Sequence, residues 1–263
     1  LATLTVGATG ALLALGATPA TADDHTATVS VLHAVPDTPV DVYANGELLL
    51  DDFQPGTLTD PQELPAGAYD IAIFPADAAD DSGEPVISGS AEVPAGANAT
   101  VVAHLAEDGT PTLTPFVNDT AAVEAGNARV TVRHTAAAPA VDVRAGGRPV
   151  IEGLTNPNEE TLTVPAGTVG ADVVLAGTDT VAIGPADLEL ADGSITAVYA
   201  WGDEDAGYQL AVQSIGAAHS APSGVPGGTA GLVDDEGMPA TLIALSLAGL
   251  VGAGVAGRRL VAT

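Results

Sequence analysis

The sequence predicts an all-β protein: two tandem immunoglobulin-like or transthyretin-like β-sandwich domains, with a C-terminal transmembrane helix beyond them. Three observations carry this expectation. Short valine-rich segments alternate apolar and polar residues, the period of a strand with one buried face. Glycine (31) and proline (19) interrupt the chain often, which suits many short strands joined by turns. A set of motifs recurs 101 residues further on, a period that fits tandem domains rather than the shorter unit of a solenoid.

Composition bounds the rest. The 263 residues suffice for two ordinary domains. Apolar residues make up 46% and aromatics only 3%, so the cores are expected to be built from Val, Leu, Ile and Ala. Valine favours strands through its branched Cβ. The formal charge is −28, there is no lysine, and six arginines are the whole basic complement. Such a surface repels phosphates and anionic headgroups, so nucleic acid is not an expected partner. It attracts cations and stays soluble in concentrated salt. The absence of cysteine excludes disulfides, a thiol nucleophile and a Cys-ligated metal.

The two ends have the character of targeting segments. Residues 1–22 hold an apolar run and then an A-x-A cleavage site at Ala20 and Ala22, as in a secretory signal peptide truncated at its start. Residues 238–257 are apolar and uncharged, and Arg258 and Arg259 follow at once. A helix of about 19 residues spans roughly 28 Å, close to the hydrocarbon thickness of a bilayer. The arginines would stop transfer, leaving residues 258–263 as a cytoplasmic tail and the bulk of the chain outside. A cell-wall sorting signal is the alternative, although Met238-Pro-Ala-Thr-Leu242 lacks the ends of the usual LPxTG pattern. Residues 215–237, rich in Gly, Ala, Ser and Pro, have the composition of a flexible stalk.

The elements follow from the repeat. Val29-Ser-Val-Leu-His33 recurs as Val130-Thr-Val-Arg-His134, and Val40-Asp-Val-Tyr-Ala-Asn-Gly46 as Val141-Asp-Val-Arg-Ala-Gly-Gly147. Leu64-Pro-Ala-Gly67 recurs as Val164-Pro-Ala-Gly167. The first domain is therefore placed at 26–117, a linker at 118–127 and the second domain at 128–214. Within the first copy, residues 28–33 alternate with Val29, Val31 and His33 on one face. Val40 and Val42 point inward, and Asp41 and Tyr43 outward. Asn45-Gly46 and Gly146-Gly147 suit two-residue hairpin turns, which need positive φ. Further strands are expected at 68–74, 97–105, 194–201 and 208–213, giving seven or eight per copy and no amphipathic helix.

At LHAVPDTPVDVYANG (32–46) and LPAGAYDIAIF (64–74) the chain resembles the family called domain of unknown function 4397. The resemblance covers both copies. The second departs from the pattern at Ala136 to Ala138, where Pro-Asp is missing, and at Arg144, where Tyr is expected. Membership implies secreted or surface-attached proteins of bacteria or archaea, often anchored at the C-terminus. The stalk at 220–226 is similar to actinobacterial members. The family carries no established activity.

Candidate site residues are few. His33 and His134 hold equivalent places, as do Asp41 and Asp142. A His/Asp metal or acid–base site is one reading; a histidine bonded to a loop and holding the following turn is the other. His104 aligns with Tyr199, as a packing position would. Arg129, Arg133, Arg144 and Arg148 all lie in the second copy, while residues 28–117 have no basic residue. These arginines could dock on the acidic first domain, receive an anionic ligand, or pair locally with Asp142 and Glu152. Asp77, Asp80, Asp81, Asp203 and Asp205 fall in expected loops and are the candidates for a calcium site, although none has calcium-loop spacing. No nucleophile elbow, zinc-hydrolase or nucleotide-binding motif occurs. Trp201 and the tyrosines are scattered singly. The expectation is a non-enzymatic envelope protein, outside the cell membrane or in the wall, acting as a spacer or adhesion module for an unknown envelope or protein ligand. The alternatives are a cation-dependent binding module and a hydrolase using a His/carboxylate pair.

Overall fold

The computed structural model describes residues 25–76 and 83–216. The expected signal peptide, most of the stalk, the anchor and the tail lie outside these residues. Among the described residues there is no helix long and apolar enough to cross a membrane. Everything regular is β. The first repeat contributes β1 (Thr26–Ala34), β2 (Val40–Ala44), β3 (Glu47–Phe53), β4 (Gln62–Pro65), β5 (Gly67–Pro75), β6 (Ile87–Val93), β7 (Asn98–Leu105) and β8 (Pro111–Val117). The second contributes β9 (Asn127–Ala136), β10 (Val141–Ala145), β11 (Arg148–Leu154), β12 (Glu159–Pro165), β13 (Gly167–Leu175), β14 (Val181–Leu190), β15 (Ile195–Asp203) and β16 (Gly207–Ile215).

Each repeat folds its eight strands into two four-stranded sheets. In the first the orders are β4-β1-β7-β8 and β3-β2-β5-β6; in the second they are β12-β9-β15-β16 and β11-β10-β13-β14. The same order appears twice, as a duplication requires. The central pairs β1–β7 and β9–β15 are parallel. The other pairings within the sheets are antiparallel. Asn45 and Gly46 take φ of 53° and 79°, and Gly146 and Gly147 take 55° and 77°, so both hairpins turn through two left-handed residues.

Three apolar clusters hold this arrangement. One lies between the two sheets of the first repeat and is centred on Val29, Val42, Ile73 and Val101. A second lies between the sheets of the other repeat, around Val130, Val143, Val173 and Val198. The third lies between the repeats. It joins Leu32, Ala34, Val102 and Phe116 to Ile195, Ala197, Tyr199, Trp201 and Ile215. Sheet β4-β1-β7-β8 thus buries one face in its own sandwich and the other against sheet β12-β9-β15-β16. This explains the runs TVVAHL in β7 and ITAVYAW in β15. A strand covered on both faces has no need of polar alternation.

The register corrects one expected equivalence. His134 pairs with Ala200 across β9–β15, and His33 with Ala103 across β1–β7. The residue matching His104 is therefore Trp201, and Tyr199 matches Val102. The offset between copies shrinks from 101 to 97 residues along the chain, so alignment by a fixed spacing misplaces the last strands.

Candidate functional site

The paired histidines are buried and engaged by backbone. In the first repeat His33 donates from Nε2 to the carbonyl of Thr38 at 2.8 Å, and its Nδ1 faces the N–H of Val35 at 3.4 Å. In the second His134 donates to the carbonyl of Pro139 at 3.0 Å and faces the N–H of Ala136 at 3.4 Å. Each ring ties its strand to the loop that crosses to the opposite sheet. Burial pushes both imidazoles below their usual pKa, partly opposed by the hydrogen bond to the carbonyl. In each ring Nε2 is committed to a backbone carbonyl, while Nδ1 faces a backbone N–H at the longer distance.

The paired aspartates are also structural. Parity puts Asp41 on the face opposite Val40 and Val42, but it is buried rather than solvated. The strand pairs β2–β3 and β10–β11 both break register at this position. The resulting bulge turns a backbone N–H toward the carboxylate: Asp52 N donates to Asp41 Oδ1 at 2.9 Å, and Gly153 N to Asp142 Oδ1 at 2.7 Å. Both donors sit at positive φ, 50° at Asp52 and 67° at Gly153. Asp142 takes a second N–H, from Gly177 at 2.9 Å. These two bonds hold its carboxyl below the usual range.

The four arginines do not form one patch. Arg129 donates to the carbonyl of Ala121 at 2.7 Å and pairs with exposed Asp119 at 3.3 Å. Arg144 clamps Asp172 with two bonds and reaches Asp179 at 3.2 Å. Arg144 thus pairs locally with Asp172 and Asp179 rather than with Asp142, and its hydrogen bonds hold the Asp172 carboxyl below the usual range. Arg148 is exposed on the hairpin. Arg133 differs from all three, being 1% exposed inside the contact between the repeats. Its Nε donates to Glu159 at 2.7 Å, one terminal nitrogen to the Tyr199 hydroxyl at 2.6 Å, and the other to Asn118 Oδ1 at 2.8 Å. The guanidinium carbon sits 4.5 Å above the Phe116 ring. The Tyr199 hydroxyl donates a hydrogen bond to Gln213 Oε1 at 2.6 Å, which also accepts from Thr100 at 2.9 Å. Asn118 donates to Thr100 and Asn98. The network links both repeats and the first residue of the expected linker, so that end of the linker is buried.

Asp77, Asp80 and Asp81 lie outside the described residues. Asp203 ends β15 and Asp205 lies in the turn to β16, where the Asp203 carboxylate accepts from the N–H of Ala206 at 2.7 Å. Among the described residues, no three histidine or carboxylate side chains converge to hold a metal.

Sequence reasoning missed the space inside the sandwiches. A cleft of about 500 Å³ lies between the sheets of the first repeat, lined by Val29, Val31, Val42, Leu64 and Leu113. A second of about 320 Å³ lies in the other repeat against Val130, Val132, Val143, Leu162 and Val164. The signal was the 3% aromatic content: without large rings, two sheets about 10 Å apart are hard to fill. A third cleft, also about 320 Å³, forms where Pro36, Pro39 and Pro55 of the first repeat meet Trp201 and Gln209 of the second. Trp201 is thus not isolated in space.

The fold defines a class, tandem β-sandwich repeats fused through a shared core. Within it, residues 27–144 match the family described as Domain of unknown function (DUF4397). That stretch spans the first repeat from its second residue in β1 onward and reaches β10 of the second. No curated protein matches the chain. Among solved structures, the Bacillus anthracis TIE protein is similar at 10% identity and a TM-score of 0.23, over 73% of this chain and 44% of its own. A leucine-rich repeat protein from Bacteroides thetaiotaomicron follows at 12% identity and 0.15, over 68% of this chain and 26% of its own. This chain therefore spans less than half the length of either, and at those scores no shared fold is inferred.

Proposed function

We propose that this chain is a non-enzymatic envelope protein whose two repeats act as one stiff spacer or binding body, held outside the cell by the apolar segment at 238–257. The observation that carries the reading is the third core. Nine buried apolar residues drawn from both repeats close over the Arg133 network, where a flexible tandem would show a polar, solvated contact. The finer fold assignment is transthyretin-like. An immunoglobulin sandwich keeps its first two strands in one sheet, whereas β1 and β2 here lie in different sheets. The engagement of His33 and His134 by backbone supports a non-catalytic reading.

The chain has no cysteine, so an introduced pair takes spin labels uniquely. Ser90→Cys on β6 and Glu189→Cys on β14 are exposed positions in the two repeats. Pulsed electron spin measurements are expected to give one narrow distance distribution. A broad or bimodal distribution would overturn the stiff-body reading. Antibody labelling of intact cells tests the location, and repeats shielded until the membrane is opened would overturn it.

A further inference from the structure

We propose that each inter-sheet cleft binds an uncharged open-chain apolar molecule, one per repeat. This goes beyond the spacer reading, which stands even with both clefts empty. Protein interiors are packed as densely as organic crystals, and voids larger than a water molecule are few. Two clefts of about 500 and 320 Å³ depart from that rule. Both fall within the size range of small-molecule sites. They are not independent accidents of packing. Val29 and Val130, Val31 and Val132, and Val42 and Val143 line them at matching positions of the duplication. Side chains facing a void lack contact partners on that side, and an apolar guest restores those contacts.

The linings decide the class of guest. Neither cleft holds an arginine or a histidine. The charged side chains at the rims are Glu47 in the first, and Asp172 and Asp187 in the second. Asp172 is already neutralised by Arg144. The whole chain carries −28. A fatty carboxylate would bring a like charge to either mouth without a partner to receive it, whereas an uncharged head group meets no such penalty. Entry is provided by exposed apolar lips: Leu48, 50% exposed, on edge strand β3, and Val212, 51% exposed, on edge strand β16. A narrow slot between two sheets suits a flexible chain better than a fused ring.

All three cores are made from residues between Ala27 and Ile215, so residues 25–216 fold without the terminal segments and need no detergent. The probes are decanol and decanoate, followed by the unfolding midpoint and by titration calorimetry. Decanol is expected to bind saturably, with two molecules per chain, and to raise the midpoint. Decanoate is expected to bind about tenfold more weakly or less. Leu48→Asp and Val212→Asp replace exposed residues, so folding is retained, and each is expected to remove one site. Ala91→Phe, which fills the first cleft, is expected to remove that site alone. No saturable decanol binding, equal binding of decanoate, or unchanged stoichiometry in both lip variants would overturn the proposal. None of these outcomes bears on the distance distribution that tests the spacer reading.

Discussion

Arg133→Met tests the account of the repeat interface most directly. Methionine keeps the length of the aliphatic stem and removes the guanidinium, so little void is left. The Asn118 carbonyl oxygen then stays buried without its donor, a loss of about 1–3 kcal/mol. Removing the cation from above the Phe116 ring, 4.5 Å away, costs about 1 kcal/mol more. Glu159 is 37% exposed, so its freed carboxylate returns to water, and the full penalty for an orphaned buried charge does not apply. Relief of guanidinium desolvation offsets part of the loss, and the expected net is about 2–3 kcal/mol. That is a substantial share of a domain's whole stability. The assay is urea unfolding followed by fluorescence of Trp201, the sole tryptophan, which sits in the interface core. Arg148→Met, at an exposed site, is the control and should stay within about 0.5 kcal/mol of the parent. If Arg133→Met is no more destabilising than Arg148→Met, the network does not hold the repeats together. A double-mutant cycle with Asn118→Leu sharpens the result. Removing both partners should cost less than the sum of the single losses, and simple additivity would show that the pair is uncoupled.

Acid should weaken the fold through its histidines. His33, His104 and His134 are all held below the ordinary imidazole pKa by burial. Between their folded values and the unfolded value of about 6.5, the unfolded chain binds more protons, so stability rises with pH. It is complete above about pH 6.5 and declines as the pH falls toward the folded values. A urea midpoint that is flat from pH 7 to about 5 would contradict the burial of the rings. Gly56→Ala should destabilise for two reasons. Gly56 has φ of +76°, and a Cβ there would lie 2.9 Å from the Trp201 ring. Gly96→Ala, at φ of +72° with open space around it, carries only the backbone strain of about 1 kcal/mol. An equal effect of the two on unfolding and on Trp201 emission would mean that the tryptophan is not where the structure puts it.

The strands and hairpins were legible because their signals are local. Val29, Val31, Val40 and Val42 announce their faces by parity, and Asn45-Gly46 announces its turn by φ. The interface left a signal of a different kind. The runs in β7 and β15 are apolar at odd and even positions alike, which marks strands covered on both sides. Seen within a single repeat, that pattern has no partner to explain it. Arg133 could not be placed from sequence. Its companions Asn118, Glu159 and Tyr199 come from the linker, β12 and β15, and only the fold brings them together. Asp41 defeated parity because a bulge turns a backbone donor toward it, and a bulge breaks the alternation on which parity rests. The clefts were hidden because apolar positions show which residues face inward, not whether they meet.

The two faces of each repeat have diverged differently, and this shows what the duplication became. Facing inward, Val29, Val31, Val40 and Val42 of the first copy correspond to Val130, Val132, Val141 and Val143 of the second. On the outer face the copies differ at the residues that meet. Leu32 corresponds to Arg133, Val102 to Tyr199, His104 to Trp201 and, through the β7–β8 and β15–β16 registers, Phe116 to Gln213. These differences are complementary. Arg133 of one copy lies over Phe116 of the other, and Gln213 meets Thr100. Arg133 and Phe116 occupy different positions of the repeat, and their equivalents Leu32 and Gln213 carry neither the cation nor the ring, so the cation–ring contact is made once rather than twice across the interface. The inner faces therefore preserve a sandwich that either copy can form. The outer faces have diverged at the residues that meet, and Arg133, Tyr199 and Gln213 of the second copy are matched to Phe116, Asn118 and Thr100 of the first.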